Sequence, residues 1–283
     1  LKPNPSDNVQ NAGCYRYYDE AQWAAEQERR KPNEWKVMNP LVVTVADDID
    51  ENPKDCKITF REACKYLEQH ITAPVLVSED QWPRITFSLP ADARTLNLFR
   101  TNAVELSDER RVQAGDSFRP VVIDGGGRGL TMRNSGSAAR LLDLRVAGVV
   151  SNVLFSAGAV SVGSNKVTFA DRNVYFENCA FQGGTNADCL VESSVGNVNF
   201  NGCSFVVPKD GKSTGAASLT MTSVCTSRFD CCTFTGFLGI NGAASVINAM
   251  DKGGELRLSN CTFAGNVATS QVNTVGQAAV WLT

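Results

Sequence analysis

The sequence predicts an all-β fold, a right-handed parallel β-helix (a solenoid) with an N-terminal helical cap, and three observations carry that prediction. The first is an echo in the second half of the 283 residues. Phe176-Glu177-Asn178-Cys179-Ala180-Phe181 recurs as Phe200-Asn201-Gly202-Cys203-Ser204-Phe205, as Phe229-Asp230-Cys231-Cys232-Thr233-Phe234 and as Leu258-Ser259-Asn260-Cys261-Thr262-Phe263, with steps of 24, 29 and 29 residues between equivalent cysteines. Periods of this length belong to stacked coils, none of which can bury its apolar face alone. The second is a matching series of strand-like segments, Ala159 to Val162, Cys189 to Glu192, Ser218 to Met221, Ser245 to Asn248 and Ala279 to Leu282, whose starts lie 30, 29, 27 and 34 residues apart. The third is corner chemistry: Asn, Gly, Ser and Thr separate these segments, and the leucine and asparagine consensus of a leucine-rich repeat is missing.

The elements follow in chain order. Residues 1–40 form an N-terminal arm in which Tyr15, Tyr17, Tyr18, Trp23 and Trp35 surround a charged helical stretch from Asp19 to Arg30. Residues 41–283 form the β-helix. Within 41–75, Leu41 to Val45 is a strand and Ala46 to Pro53 an acidic turn. A helix then runs from Thr59 to Gln69, with Thr59 as N-cap, Glu62 completing a capping box, and Phe60, Ala63, Cys64 and Leu67 on one face. Laid over the first coil, this helix caps the stack. The first coils occupy 76–157, with strands at Arg84 to Leu89, Thr95 to Phe99, Val121 to Asp124 and Leu141 to Leu144, and a sharp corner at Gly125-Gly126-Gly127. The Cys/Phe coils occupy 158–283, with the loops 207–215 and 267–277 absorbing differences in coil length.

The repeat also predicts its own geometry. Its first aromatic and its cysteine lie three residues apart, so period-two alternation buries both only if the chain bends between them. The bend falls on Asn178, Gly202, Cys231 and Asn260, and Asn and Gly are the residues that most readily accept a left-handed backbone. Cys231 is the misfit. Beyond the bend, Cys179, Cys203, Cys232 and Cys261 point inward with Phe181, Phe205, Phe234 and Phe263, while Ala180, Ser204, Thr233 and Thr262 face out. Stacking at about 4.8 Å then yields a structural ladder of two aromatic columns and one of sulfur.

Composition excludes several functions. A chain that is 43% hydrophobic buries a full core without help from metal or disulfides, and a net charge of −3 argues against a phosphate-tracking nucleic-acid surface. No apolar run approaches the roughly 18 residues of a membrane span, so this segment is not expected to insert in a bilayer. The chain starts Leu1-Lys2-Pro3-Asn4 and ends on a rung-like strand, which reads as a processed or excised form with further chain or a partner at the C-terminal end.

Candidate chemistry is sparse, and no cofactor is implied. β-Helix enzymes need clustered carboxylates on neighbouring coils. The outward position two before each repeat cysteine holds Glu177, Asn201, Asp230 and Ser259, which makes Glu177 and Asp230 the catalytic candidates. Two coils separate them, about 10 Å at the 4.8 Å strand spacing, slightly beyond the roughly 6.5 to 9.5 Å of an inverting pair. A solvated face, with Arg228 and Arg257 as cross-coil partners, is the favoured reading. Asp47, Asp48, Asp50 and Glu51 are the densest acidic group and the candidate Ca²⁺ ligands, yet they lack an EF-hand's glycine and ligand spacing, so a solvated turn is favoured. The sole histidine, His70, ends the capping helix and complements its dipole. Gly125 to Gly129 lacks the Lys-Ser or Lys-Thr of a phosphate loop. Of the 10 cysteines, the four of the ladder read as packed thiols, and Cys14, Cys56, Cys64, Cys189, Cys225 and Cys231 as the candidates for bridges.

Val43-Thr44-Val45-Ala46-Asp47-Asp48, Cys56-Lys57-Ile58-Thr59-Phe60-Arg61-Glu62-Ala63, Ile85 to Pro90 and Val122 to Gly127 together resemble the opening module of secreted bacterial β-helix proteins, a family named for its Cys-Ser-Leu-Arg-Glu-Ala box. Phe60 takes the leucine place and an insertion follows the cysteine, while Arg61, Glu62 and Ala63 match. The phrase Asn260 to Asn266 is similar to repeats of that family and of chlamydial polymorphic membrane proteins, which are autotransporter passengers, and Phe263 to Asn266 matches the Phe-x-x-Asn element of the latter. The resemblance spans 41 to 266. It implies a secreted or cell-surface location, as at a bacterial outer membrane, and an adhesive or structural role in virulence, and it supplies no catalytic residue. The leading expectation is therefore a non-catalytic adhesin or passenger segment that binds a host surface protein or glycan. The alternative is a polysaccharide lyase or glycoside hydrolase, and a phage tailspike or other virion protein comes third.

Overall fold

A computed structural model describes residues 39, 41–48, 57–70, 79–90, 92–107, 120–138, 140–163, 173–183, 189–194, 197–208, 215–222, 226–240, 246–252, 254–269 and 280–282. Its strands form three parallel sheets. The first sheet is, in spatial order, β1 (Val42–Val43), β2 (Arg84–Phe87), β5 (Val121–Asp124), β8 (Gly148–Ser151), β11 (Asn173–Glu177), β14 (Asn197–Asn201), β17 (Thr226–Asp230) and β21 (Glu255–Ser259). The second is β3 (Thr95–Leu98), β6 (Leu130–Asn134), β9 (Val153–Ser156), β12 (Ala180–Gln182), β15 (Ser204–Val206), β18 (Thr233–Thr235) and β22 (Thr262–Ala264). The third is β4 (Val104–Ser107), β7 (Arg140–Arg145), β10 (Ala159–Val162), β13 (Cys189–Ser193), β16 (Gly215–Thr222), β20 (Ile247–Lys252) and β24 (Val280–Leu282). A short pair, β19 (Leu238–Ile240) with β23 (Val267–Thr269), stands beside them. The chain visits the three sheets in turn and starts again one coil further on. This is a parallel β-helix, as the period predicts.

The repeat folds as its spacing requires. Asn178, Cys231 and Asn260 take φ of 50°, 52° and 52°, and Gly202 takes 63°, so every bend residue, the misfit included, is left-handed. At the first three of these bends the amide runs to the next coil, from Asn178 to the Asn201 carbonyl at 2.9 Å, from Gly202 to Asp230 at 3.0 Å and from Cys231 to Ser259 at 3.0 Å. Register is strict: Phe176 pairs with Phe200, Phe200 with Phe229, and Phe229 with Leu258. In the second sheet Phe155, Phe181, Phe205, Phe234 and Phe263 line up, their ring centroids 5.2, 4.8, 4.9 and 4.6 Å apart and nearly parallel. The two columns meet edge to face, as in Phe200 against Phe205 at 5.3 Å and 70°. Stacked within a column and T-shaped between columns, the rings satisfy both favourable quadrupole arrangements.

The cysteines form the third column. Cys179, Cys203 and Cys232 are buried, and each ladder thiol donates to a carbonyl of the preceding coil: Cys179 to Val150 at 3.3 Å, Cys203 to Phe176 at 3.3 Å, Cys232 to Phe200 at 3.6 Å and Cys261 to Phe229 at 3.4 Å. Every such carbonyl belongs to the penultimate residue of its strand, two before the bend, and each thiol also lies 3.3 to 3.5 Å from the carbonyl two residues before it on its own coil. The small, weakly polar thiol therefore fills the core and shares its proton between two carbonyls. The neighbouring Cys179 thiol, followed by burial, pushes Cys203 up to about 12, and the Cys203 thiol, followed by burial, raises Cys232. These sulfurs are packing groups, as expected. The bridge candidates within the described residues are corrected: Cys64 and Cys231 are free thiols, and Cys189 keeps a thiol that donates to the Val191 carbonyl at 3.3 Å. Cys14, Cys56 and Cys225 lie outside the described residues.

The repeat reaches further toward the N-terminus than its letters show. Val150-Ser151-Asn152-Val153-Leu154-Phe155 lies in register with the Cys179 coil, and Asn152 makes the bend at φ 57°. One coil earlier the bend is replaced by the Gly125 to Gly129 corner, held by Arg94, whose guanidinium donates to the Gly129 and Gly125 carbonyls at 2.6 and 2.5 Å. A Cβ on Gly125 would sit 2.1 Å from the Asn152 carbonyl oxygen, so this close approach admits only glycine.

The cap forms as predicted. Helix α1 (Phe60–His70) starts from a complete capping box, in which the Glu62 carboxylate accepts from the Thr59 amide at 2.9 Å and the Thr59 hydroxyl accepts from the Glu62 amide at 3.2 Å. Phe60, Ala63, Cys64 and Leu67 are buried. The acidic turn departs from expectation. Asp48 is fully buried: it pairs with Arg61 at 2.9 Å and accepts the Phe99 amide at 2.7 Å, while Arg61 also donates to the Ala103 and Asn102 carbonyls. One carboxylate thus ties the turn before α1 to the helix and to the strand below. Neither a solvated turn nor a Ca²⁺ ligand describes it. Asp47 is exposed and accepts from the Asn97 amide group at 3.2 Å. Asp50 and Glu51, and the N-terminal arm apart from residue 39, lie outside the described residues.

Candidate ligand-binding face

The outer face of the first sheet concentrates the polar side chains of the repeat. Period-two alternation buries Val174 and Phe176 on β11, Val198 and Phe200 on β14, and Ser227 and Phe229 on β17, and so turns the residues between them outward. Parallel register then sorts the outward residues into three columns. Asn173 pairs with Asn197, and Thr226 and Glu255 follow; Tyr175 pairs with Asn199, then Arg228 and Arg257; Glu177 pairs with Asn201, then Asp230 and Ser259. Asn197 reaches across to the next coil, its side-chain carbonyl accepting the Thr226 amide. The central three coils line a shallow depression of about 530 Å³, with Tyr175 and Arg228 in its middle column.

The structure brings the catalytic candidates Glu177 and Asp230 into one column of this face, with the amide Asn201 between them. Both are exposed. Asp230 also accepts from the Asn260 amide group at 3.4 Å and lies 3.7 Å from the Cys231 sulfur, and this nearby negative charge raises the Cys231 thiol above its ordinary value. Arg257 differs from its expected cross-coil role. It pairs with Glu255 two residues earlier on the same strand, at 2.6 Å, which holds the Glu255 carboxyl below its usual range and raises Arg257.

Nearer the cap, the same outer face carries Asp124. Its Oδ1 accepts from the Gly126 amide at 2.8 Å and the Ser151 hydroxyl at 3.2 Å, and its Oδ2 pairs with Arg84 at 3.1 Å. Partial burial works to raise this carboxyl, but the Gly126 amide, the Asn152 and Ser151 side chains and Arg84 together hold it below the ordinary value. Among the described residues no three His, Cys, Asp or Glu side chains are grouped to hold a metal, and no helix is long and apolar enough to cross a membrane.

Sequence reasoning followed the carboxylates and overlooked the amides. Asn173, Asn197, Asn199 and Asn201 fill four of the six outward positions on β11 and β14, and Tyr175 and Glu177 fill the other two. Their signal was present in the alternation Asn-Val-Tyr-Phe and Asn-Val-Asn-Phe, where each polar residue sits one step from a buried one. Comparison with protein-family models, with curated proteins and with solved structures gave no match.

Proposed function

We propose that the chain is a non-catalytic binding module, displayed outside the cell or at its surface, that holds a glycan, free or carried on a host surface protein, along the outer face of the first sheet. The observation that supports this reading is the amide-rich grid around Tyr175. Each Asn side chain both donates and accepts, which suits the paired hydroxyls of a sugar ring, and Tyr175, 39% exposed, offers an aromatic face for the ring's C–H side. The backbone beneath is a hydrogen-bonded sheet, so little ordering cost is incurred on binding. A flat face with a mixed array of amides and charges is the bland, repeated kind of surface an adhesin presents.

The alternative, a polysaccharide lyase or glycoside hydrolase, draws on Glu177 and Asp230 sharing the column. Asn201 stands between them, and an amide has no proton to exchange at working pH. The experiment combines a glycan array with an assay for new reducing ends or unsaturated products on acidic and neutral polysaccharides. Binding lost in Tyr175→Ala and Asn199→Ala, without turnover, is the expected result. Turnover abolished by Glu177→Gln or Asp230→Asn would overturn it in favour of the enzyme.

A further inference from the structure

The middle column of the first sheet's outer face holds three guanidiniums, Arg84, Arg228 and Arg257, in register across the coils. Two of them are engaged: Arg84 pairs with Asp124 at 3.1 Å and Arg257 with Glu255 at 2.6 Å. Arg228 is not. It stands exposed between Asn199 and Arg257, with neither an ion pair nor a hydrogen bond among the described residues. The carboxylates around it are occupied elsewhere. Asp230, two residues on, accepts from the Asn260 amide group and lies beside the Cys231 sulfur, and Glu255, held by Arg257, feels Arg228 only through its field. Arg257 adds a second positive charge one coil away. In the depression of about 530 Å³ that also holds Tyr175 and Asn199, Arg228 is therefore a fork of donors without an acceptor.

On the reading that this face holds a glycan, we propose that the glycan is anionic: a carboxylate or sulfate group of one sugar seats on Arg228 while a neighbouring ring lies on Tyr175. The two side chains stand two coils apart in one column, about 10 Å at the 4.8 Å strand spacing. Two linked rings bridge that span, with Asn199 beneath the linkage, so the sugar chain runs along the stack. The two margins of the column decide where the anion sits. Glu177 and Asp230 line one margin, whereas Asn173, Asn197 and Thr226 line the other and carry no charge. An anion on the uncharged side meets the guanidinium in contact, with about 4 Å between charges, and keeps farther from Asp230, whose place on the strand is about 7 Å from that of Arg228. Coulomb attraction at the shorter distance outweighs the repulsion, and the guanidinium adds two parallel hydrogen bonds to a planar carboxylate.

The test is a glycan array, read with the full chain, in which each oligosaccharide backbone is present as neutral, carboxylated and sulfated forms. An anionic form is expected to bind about tenfold or more tightly than its neutral counterpart, with a preference that shrinks as salt rises. Whichever anionic form gains more identifies the group. In Arg228→Gln the ratio falls to about one, and Arg228→Lys keeps only part of the preference, because an ammonium lacks the planar fork. The side chain is exposed, so the unfolding midpoint of both variants stays that of the parent. Neutral forms bound as tightly as anionic ones, or an anionic preference that survives in Arg228→Gln, would overturn the anionic assignment and leave the glycan face standing. No binding to any glycan, charged or neutral, would overturn both.

Discussion

At the scale of single residues, the bend explains both what is optimal and what is not. Three of the four Cys/Phe coils place Asn or Gly at the left-handed position, and the fourth places Cys231 there at φ 52°, exposed to solvent. A cysteine is strained in that region, its long 3.7 Å thiol contact to Asp230 offering little in return, whereas Asn tolerates it. Cys231→Asn is therefore expected to stabilise the fold by about 0.5–1 kcal/mol, read as a higher denaturant midpoint at unchanged slope; a lower midpoint would contradict the argument. Asp124 gives a second prediction, this one in pH. Its folded value is depressed, so its contribution is present above its unfolded value of 3.8 and is lost as pH falls through the folded value. Asp124→Asn should flatten that acid-limb loss while leaving the slope of stability near neutral pH unchanged, which a series of unfolding curves from neutral to acidic pH measures.

Among the elements, the capping helix was the most legible in advance, because a capping box and an apolar face of helical spacing are both local signals. Its attachment was not. Asp48 read as one more acid in a run of acids, and nothing in neighbouring letters says that Arg61 will reach it or that the Phe99 amide, 51 positions away, will close on it. The coil of Val150 to Phe155 was missed for a related reason: Val153 fills the place of a repeat cysteine and Val150 that of a repeat phenylalanine, so the geometry persists while the letters change. On the binding face, the carboxylates drew notice as chemistry and the amides passed as turn formers, although both occupy outward strand positions. The two kinds of cap contact predict different costs. Thr59→Ala removes one N-cap bond and should cost about 1 kcal/mol. Asp48→Ala removes a buried carboxylate that pairs with Arg61 and accepts the Phe99 amide, and should cost about 3 kcal/mol or more, so thermal unfolding should rank Asp48→Ala well below Thr59→Ala; equal losses would mean that the clasp adds nothing beyond the helix cap.

For the whole molecule, a stack whose coils touch only their neighbours unfolds from its weakest junction outward, and the aromatic columns locate the strong ones. Phe205 sits in mid-stack, fully buried between Phe181 at 4.8 Å and Phe234 at 4.9 Å and edge-on to Phe200 and Phe229. Phe263 occupies the same column at the last described coil, is only half-buried, and stacks on Phe234 alone at 4.6 Å among the described rings. Truncating the first removes contacts on both sides and leaves a closed cavity, with an expected loss of about 3–5 kcal/mol. Truncating the second opens a site that water already reaches, so its loss should be about 1–2 kcal/mol. The positional consequence matters more than the total. In Phe205→Ala, hydrogen exchange should reveal loss of protection in β14 to β18 and the coils beyond while β2 to β9, under the cap, stay protected, and the denaturant transition should broaden or split. In Phe263→Ala the loss should stay within β21 to β23. A single sharp transition with uniform exchange in both variants would mean that the stack unfolds as one cooperative unit, and that the coil-by-coil independence inferred from its topology is wrong.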